Sequence, residues 1–297
     1  MVISLLMKGK VKKIMVNERQ RIDSGESSTN YQANGDITIN HGMSYSDVKE
    51  ISMDVFRANF LDLGEEVQSL IEERAEKVIT DYLQKLERTS PESLVKTVDP
   101  DIRANIYEIQ RGYARRGNDE IESLLVDILL ERTIENERDF KNLVLNESIT
   151  VASKLTITQI KRLFLIFITS RISFQGVACQ DYINIIFNIA IDLFVNDKVE
   201  LMNQDMQYLV QQGCISMSVM SRDLDQVMLN IGLVDIKNKE SLEILKQQED
   251  IKKFYSVFED RQSGYSNATI TPVGIAIVIS YIKNKLPIGI EYNTFLL

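Results

Sequence analysis

A single histidine, His41, occurs in the whole chain. Paired-histidine metal sites are therefore excluded, and any Ser-His-Asp arrangement would depend on one residue in a polar segment. Cysteine is almost as scarce: Cys179 and Cys214 are the only two, and neither has a Cys or His neighbour at a metal or redox spacing. The simple expectation is a reduced, cytoplasmic setting. The nucleophile elbow G-x-S-x-G, the phosphate loop G-x-x-x-x-G-K and the dinucleotide fingerprint G-x-G-x-x-G are all missing. No catalytic residue stands out, and no cofactor or metal is expected. Bases are outnumbered by acids, 34 to 43, for a formal net charge of -9. That balance argues against a broad nucleic-acid footprint, which needs many cations facing phosphates. Long apolar runs are missing too. The longest, "LFLIFI" at residues 163–168, falls far short of the roughly 20 residues of a membrane span, so no membrane partner is expected.

What is present divides the chain into four expected parts. Residues 1–27 read as a flexible tail. Its apolar start precedes Lys8, Lys10, Lys12 and Lys13, the reverse of a signal peptide, and Met1, Met7 and Met15 are alternative starts. Residues 28–43, "STNYQANGDITINHGM", alternate about Asn34-Gly35, the strongest short hairpin signal. Pairing outward from that turn sets Gln32 opposite Ile37, Tyr31 opposite Thr38 and Asn30 opposite Ile39. Neither face is cleanly apolar, and an isolated two-stranded hairpin is marginal. Its open edges suit pairing with copies of itself, so Asn30, Tyr31, Gln32, Asn34, Gly35, Ile37 and Ile39 are expected to form an oligomerisation segment.

Residues 44–197 read as a helical domain and 198–297 as a smaller C-terminal unit. Ser44 or Ser46 caps a helix with Val48, Ile51, Val55 and Ala58 in register and Met53, Phe56 and Phe60 beside them. The same period resumes after Gly64 through Val67, Leu70, Ile71, Val78, Ile79, Leu83 and Leu86, which reads as one long helix bent at Gly64. Ser90-Pro91 and Asp99-Pro100 mark further helix starts. Thr156 or Thr158 caps the helix holding the apolar run. In "CQDYINIIFNIAIDLFV", Asp181, Asn184, Asn188 and Asp192 share one face; a solvent edge explains them as well as a polar seam. Near the C-terminus Ile244, Leu245, Ile251, Phe254, Tyr255 and Phe258 fall on one side of a helix. "SNATITPVGIAIVISYIKNKL" then passes from a short strand into a helix capped by Thr271. Helix, strand, Thr-Pro-X-Gly and terminal helix resemble the end of a winged-helix domain, here without a basic recognition helix. The expected fold class is mainly α, a multi-helix bundle with an N-terminal β-hairpin and a winged-helix-like α+β unit.

Two constellations remain as candidates for binding. Arg111, Arg115 and Arg116, with Tyr107 and Tyr113, form a basic cluster of the kind that stacks on bases or grips phosphate. A solvated helix end before Gly117, with positive charge on the dipole, accounts for the same residues. Asp101 and Glu108 faintly resemble the carboxylate pair of restriction-type nucleases, with Gln110 in the place of the family's lysine.

"STNYQANGDITINHGM" with the helix that follows it, "NLVLNESITVASKLTITQIKRLFLIF" and "TPVGIAIVISYI" together resemble a bacterial family known by locus-tag names and without an established activity. The likeness covers most of residues 24–285. Short Asn/Gln/Gly segments of this kind also resemble stacked signalling motifs in bacterial defence proteins, although the spacing here is Gln-x-x-Gly, not Gln-x-Gly. The leading expectation is a non-enzymatic, self-associating bacterial protein that presents a helical surface to a protein partner, in phage defence or stress signalling. A nucleic-acid-binding regulator and a metal-dependent nuclease are the alternatives.

Overall fold

The computed structural model describes residues 43–60, 64–135, 140–171, 203–231, 239–260, 262–285 and 292. The hairpin segment, including Asn30, Tyr31, Gln32, Asn34, Gly35, Ile37 and Ile39, lies outside the described residues. So do His41, Cys179, the polar seam at 181–192 and the expected boundary at 198. Residues from Gly42 onward cluster as one compact unit.

The described part of that unit is mainly helical with one small antiparallel sheet. Its first helices are α1 (Tyr45–Asn59), α2 (Glu65–Thr89), a 3-10 helix (Pro91–Val98), α3 (Pro100–Arg116), α4 (Asp119–Ile134), α5 (Phe140–Ala152) and α6 (Ile157–Arg171). Further on come α7 (Asn203–Gln211), β1 (Ile215–Met217), α8 (Leu224–Ile231), α9 (Lys239–Leu245), α10 (Glu249–Glu259), β2 (Ala268–Ile270) and α11 (Pro272–Lys285).

Local chemistry sets the starts of these helices. Ser44 closes a capping box with Asp47, each side chain bonding the other's backbone N–H. Asp99 accepts from the Asp101 N–H ahead of α3, with Pro100 in the first turn. Thr156 and Gln159 form a second reciprocal pair at α6, and Thr271 accepts from the Gly274 N–H at α11.

One element departs from the expectation set by periodicity. α1 and α2 are two helices, not one bent helix: the chain leaves α1 at Asn59 and re-enters helix at Glu65, with Gly64 at φ +95°. Lys49 pairs with Glu76 at 2.8 Å and Arg57 with Glu72 at 3.4 Å, so the two run antiparallel. Folding back moves the buried face of α1 to Val48, Ser52, Met53 and Phe56 and leaves Val55 exposed. Val67 and Leu70, near the start of α2, are exposed as well, whereas Ile71, Val78, Ile79, Leu83 and Leu86 are buried as expected. The helix expected through Ile244 and Phe258 is likewise two, α9 and α10, with Ile244 exposed and Ile251, Phe254 and Phe258 in the core.

The core sits where α2, α3, α4 and α5 meet, around Tyr82, Leu83, Ile109 and Leu125. The Tyr82 hydroxyl is satisfied by Thr133 Oγ1 at 2.8 Å. α11 is apolar on all sides and buried from Gly274 to Ile282, as a helix enclosed by neighbours should be. It packs on α4, α5 and α6. The Ser280 hydroxyl donates to the Leu124 carbonyl at 3.0 Å, and Lys285 pairs with Glu120. The C-terminal α+β element is present as β1 and β2, paired Ile215 to Ile270 and Met217 to Ala268, with β2 against α6. Arg222 ties the loop after β1 to this element by donating to the Tyr265 and Ala268 carbonyls at 2.8 and 2.7 Å.

A candidate anion-binding pocket at the end of α3

The cationic end of α3 follows from its spacing. Arg111 and Arg115 stand four residues apart, as do Gly112 and Arg116, so each pair shares a helix face. Gly117 stops the helix in the left-handed region at φ +61°, its N–H bonding the Tyr113 carbonyl. A side chain there would meet backbone strain, and its Cβ would collide with the Arg74 guanidinium. Arg74 donates to the Ala114 carbonyl at 3.1 Å and so holds the last turn of α3.

α5 runs parallel to α3. Asn146 on α5 meets Asp101 and Asn105 near the start of α3, while Ser153, just past α5, meets Gly112 and Arg116 near its end. At Gly112 the approach is tight, since an added Cβ would come within 2.8 Å of the Ser153 Cβ. This packing brings Lys154, distant in sequence, beside the arginines. Arg111, Gly112, Arg115, Arg116, Ser153 and Lys154 line an open pocket of about 380 Å³.

The four cations are not equivalent. Arg111 donates to Glu108 at 2.6 Å, and that bond holds its guanidinium above the ordinary arginine value. Arg116 donates through Nη1 to the Ser153 and Leu155 carbonyls at 3.1 and 2.8 Å, which clamps the turn after α5 onto α3. The side chains of Arg115 and Lys154 are exposed and have no hydrogen-bond or ion-pair partner among the described residues. Three guanidinium groups and an ammonium around one opening suit an oxyanion, because each supplies donors and positive charge without an acceptor.

The two tyrosines expected beside the cluster are engaged at joints between helices. Tyr113 is buried, its hydroxyl donates to Asp119 at 2.7 Å, and Lys77 covers its ring at 5.0 Å. Tyr107 donates to the Asn59 carbonyl at 3.1 Å and packs near Phe56. Lys154 is not among the residues expected from sequence; its only local signal is a lysine in a short turn ahead of a capped helix.

The nuclease-like carboxylates do not converge. Asp101 and Glu108 are both on α3, about 10 Å apart along its axis, where Asp101 meets Arg132 and Asn146 and Glu108 meets Arg111. Gln110 is fully buried against Met53 and the Ala75 carbonyl. Among the described residues no group of three or more His, Cys, Asp or Glu is placed to hold a metal ion. Cys214 is buried, and burial pushes its thiol up to about 12, far from the range of a reactive thiolate. No described helix is long and apolar enough to cross a membrane.

No curated protein and no solved structure matches the chain. A family model described only as ":-like" matches residues 42–233, more than half of the sequence. The match begins at the α1 capping segment and takes in the whole of the α3 to α5 seam with its pocket, so the chain belongs to that uncharacterised family.

Proposed function

We propose that this is a non-enzymatic, self-associating protein of the bacterial cytoplasm whose helical body captures an anionic group of a partner at the end of α3. The observation that supports the reading is the pocket itself. Tertiary packing adds Lys154 to Arg111, Arg115 and Arg116, and the side chains of Arg115 and Lys154 are left without partners among the described residues. A compact cationic pocket on a chain of net charge -9 suits a discrete oxyanion better than a long phosphate backbone. The test is calorimetric titration with inorganic tripolyphosphate. Binding at about 50 mM NaCl that weakens at least about tenfold in an Arg115→Ala/Lys154→Ala variant is expected; no heat of binding in the parent protein sinks the reading.

Self-association through residues 28–43 is supported by their mixed hairpin faces and open edges. Light scattering on the full chain and on a chain starting at Ser44 tests it, and equal subunit numbers for the two defeat it. The likeness to stacked signalling segments makes phage defence or stress signalling the proposed setting. Nucleic-acid binding at the same pocket is the second reading. With both tyrosines committed, it would be indifferent to base identity, and four phosphate contacts on a single strand give a log-log salt slope of roughly -3. A single-stranded RNA that fails to bind at low salt removes it.

A further inference from the structure

The seam between α3 and α5 has a second opening at its other end. Asp99, Pro100, Asp101, Arg132, Leu143 and Asn146 line a pocket of about 460 Å³ where both helices begin. Its polar wall is built, not incidental. Arg132 is only 5% exposed; its Nε donates to Asn146 Oδ1 at 2.8 Å and its Nη2 to Asp101 Oδ2 at 3.1 Å. Asn146 returns a bond to the same Asp101 oxygen at 2.8 Å, and Asn105 donates to Asn146 at 2.7 Å. The network holds a guanidinium edge and a carboxylate edge side by side, a donor next to an acceptor. Beside them Leu143 is 68% exposed, an apolar lip at the opening.

The two openings differ in the charge they accept. Asp99 and Asp101 repel a free anion from the second pocket, while its paired donor and acceptor match an amide group and its lip matches an aliphatic side chain. The first pocket wants negative charge. Asp101 and Arg115 are separated by about 21 Å along α3, at about 1.5 Å per residue. An extended chain covers that distance in about six residues.

Resting on the anion-pocket reading, we propose that the α3–α5 seam docks an extended segment of a partner protein, with an acidic cluster at the Arg115 and Lys154 end and an apolar, amide-bearing end at Arg132 and Leu143. Charge complementarity and spacing select this occupant. The two contacts act as linked sites, so their joint affinity exceeds either alone when the connecting chain matches the span.

Fluorescence anisotropy on the full chain tests this with a labelled synthetic peptide. The probe carries Leu-Asn at one end, a four-residue Gly/Ser spacer and three glutamates at the other end, and is compared with its two halves and with a version lacking the spacer. The intact peptide is expected to bind at least about tenfold more tightly than either half or the short version. Leu143→Arg, at an exposed position, and Arg115→Ala/Lys154→Ala should each abolish that gain, while Leu143→Arg leaves tripolyphosphate binding unchanged. An intact peptide no tighter than its glutamate half, in a protein that binds tripolyphosphate, overturns the docking proposal and spares the anion pocket. Failure of tripolyphosphate itself overturns both.

Discussion

Replacing Glu122 with glutamine is expected to stabilise the fold at pH 8.5 and to change it little at pH 4. Glu122 stands in the first turn of α4 with its side chain only 8% exposed, 3.3 Å from the Lys77 ammonium. Lys77 is shared, lying 3.2 Å from Asp119 and 3.4 Å from Asp81 as well. Burial works against its positive charge, yet Glu122, Asp119 and Tyr113 outweigh that and hold its value above that of an ordinary lysine. One ammonium among three carboxylates compensates none of them fully. Burial, aided by Asp81, therefore pushes the Glu122 carboxyl up to about 7 against 4.5 in its ordinary state, despite Lys77. A carboxyl raised in this way favours the folded state only while protonated. Its contribution is intact below pH 4.5, erodes as the pH climbs and is gone above about 7, a loss of about 3 kcal/mol. Glutamine keeps the shape and removes the charge, so the variant should gain up to about 3 kcal/mol at pH 8.5, several degrees in thermal midpoint. Thermal unfolding of both proteins at pH 4, 6 and 8.5 reads the difference. A variant less stable than its parent at pH 8.5 would show that the ion pair with Lys77 outweighs burial, and the reasoning would fail.

Phe56→Ala should cost about 3–5 kcal/mol in urea unfolding, because Phe56 is fully buried where α1 meets α2 and α3 and stacks on Phe60 at 4.7 Å. Gly117→Ala should cost roughly 1–2 kcal/mol through its left-handed backbone, with more from displacing Arg74; Gly117→Asn should cost less, and equal losses would contradict the backbone argument. Cys214, with its thiol pushed up to about 12, should resist alkylation at pH 8 until denaturant is added, as followed by mass spectrometry of its peptide.

The helix starts were legible because capping is a conversation between a side chain and backbone groups two or three residues on. Ser44, Asp99, Thr156 and Thr271 all act that way. The break between α1 and α2 was not, because the apolar period runs on past Gly64 and only contacts between the two helices, such as Lys49 with Glu76 and Arg57 with Glu72, show that the chain folds back. Periodicity also overstated burial at the ends of helices, where Leu70 and Ile244 keep the phase of the stripe but stay exposed. Half of the candidate site could be read directly, since Arg111, Arg115 and Arg116 are close on one helix. Lys154 and the commitment of Tyr113 to Asp119 are consequences of which helices lie side by side, and local sequence carries little of that.

The placement of α11 sets an order of events during synthesis. The helix is buried against α4, α5 and α6, yet it is among the last parts of the described chain to leave the ribosome. Until residue 285 is free, those three helices present an open apolar trough of the kind chaperones bind. A nascent chain that already carries the whole α3–α5 seam would therefore remain a client of the folding machinery until α11 closes the trough.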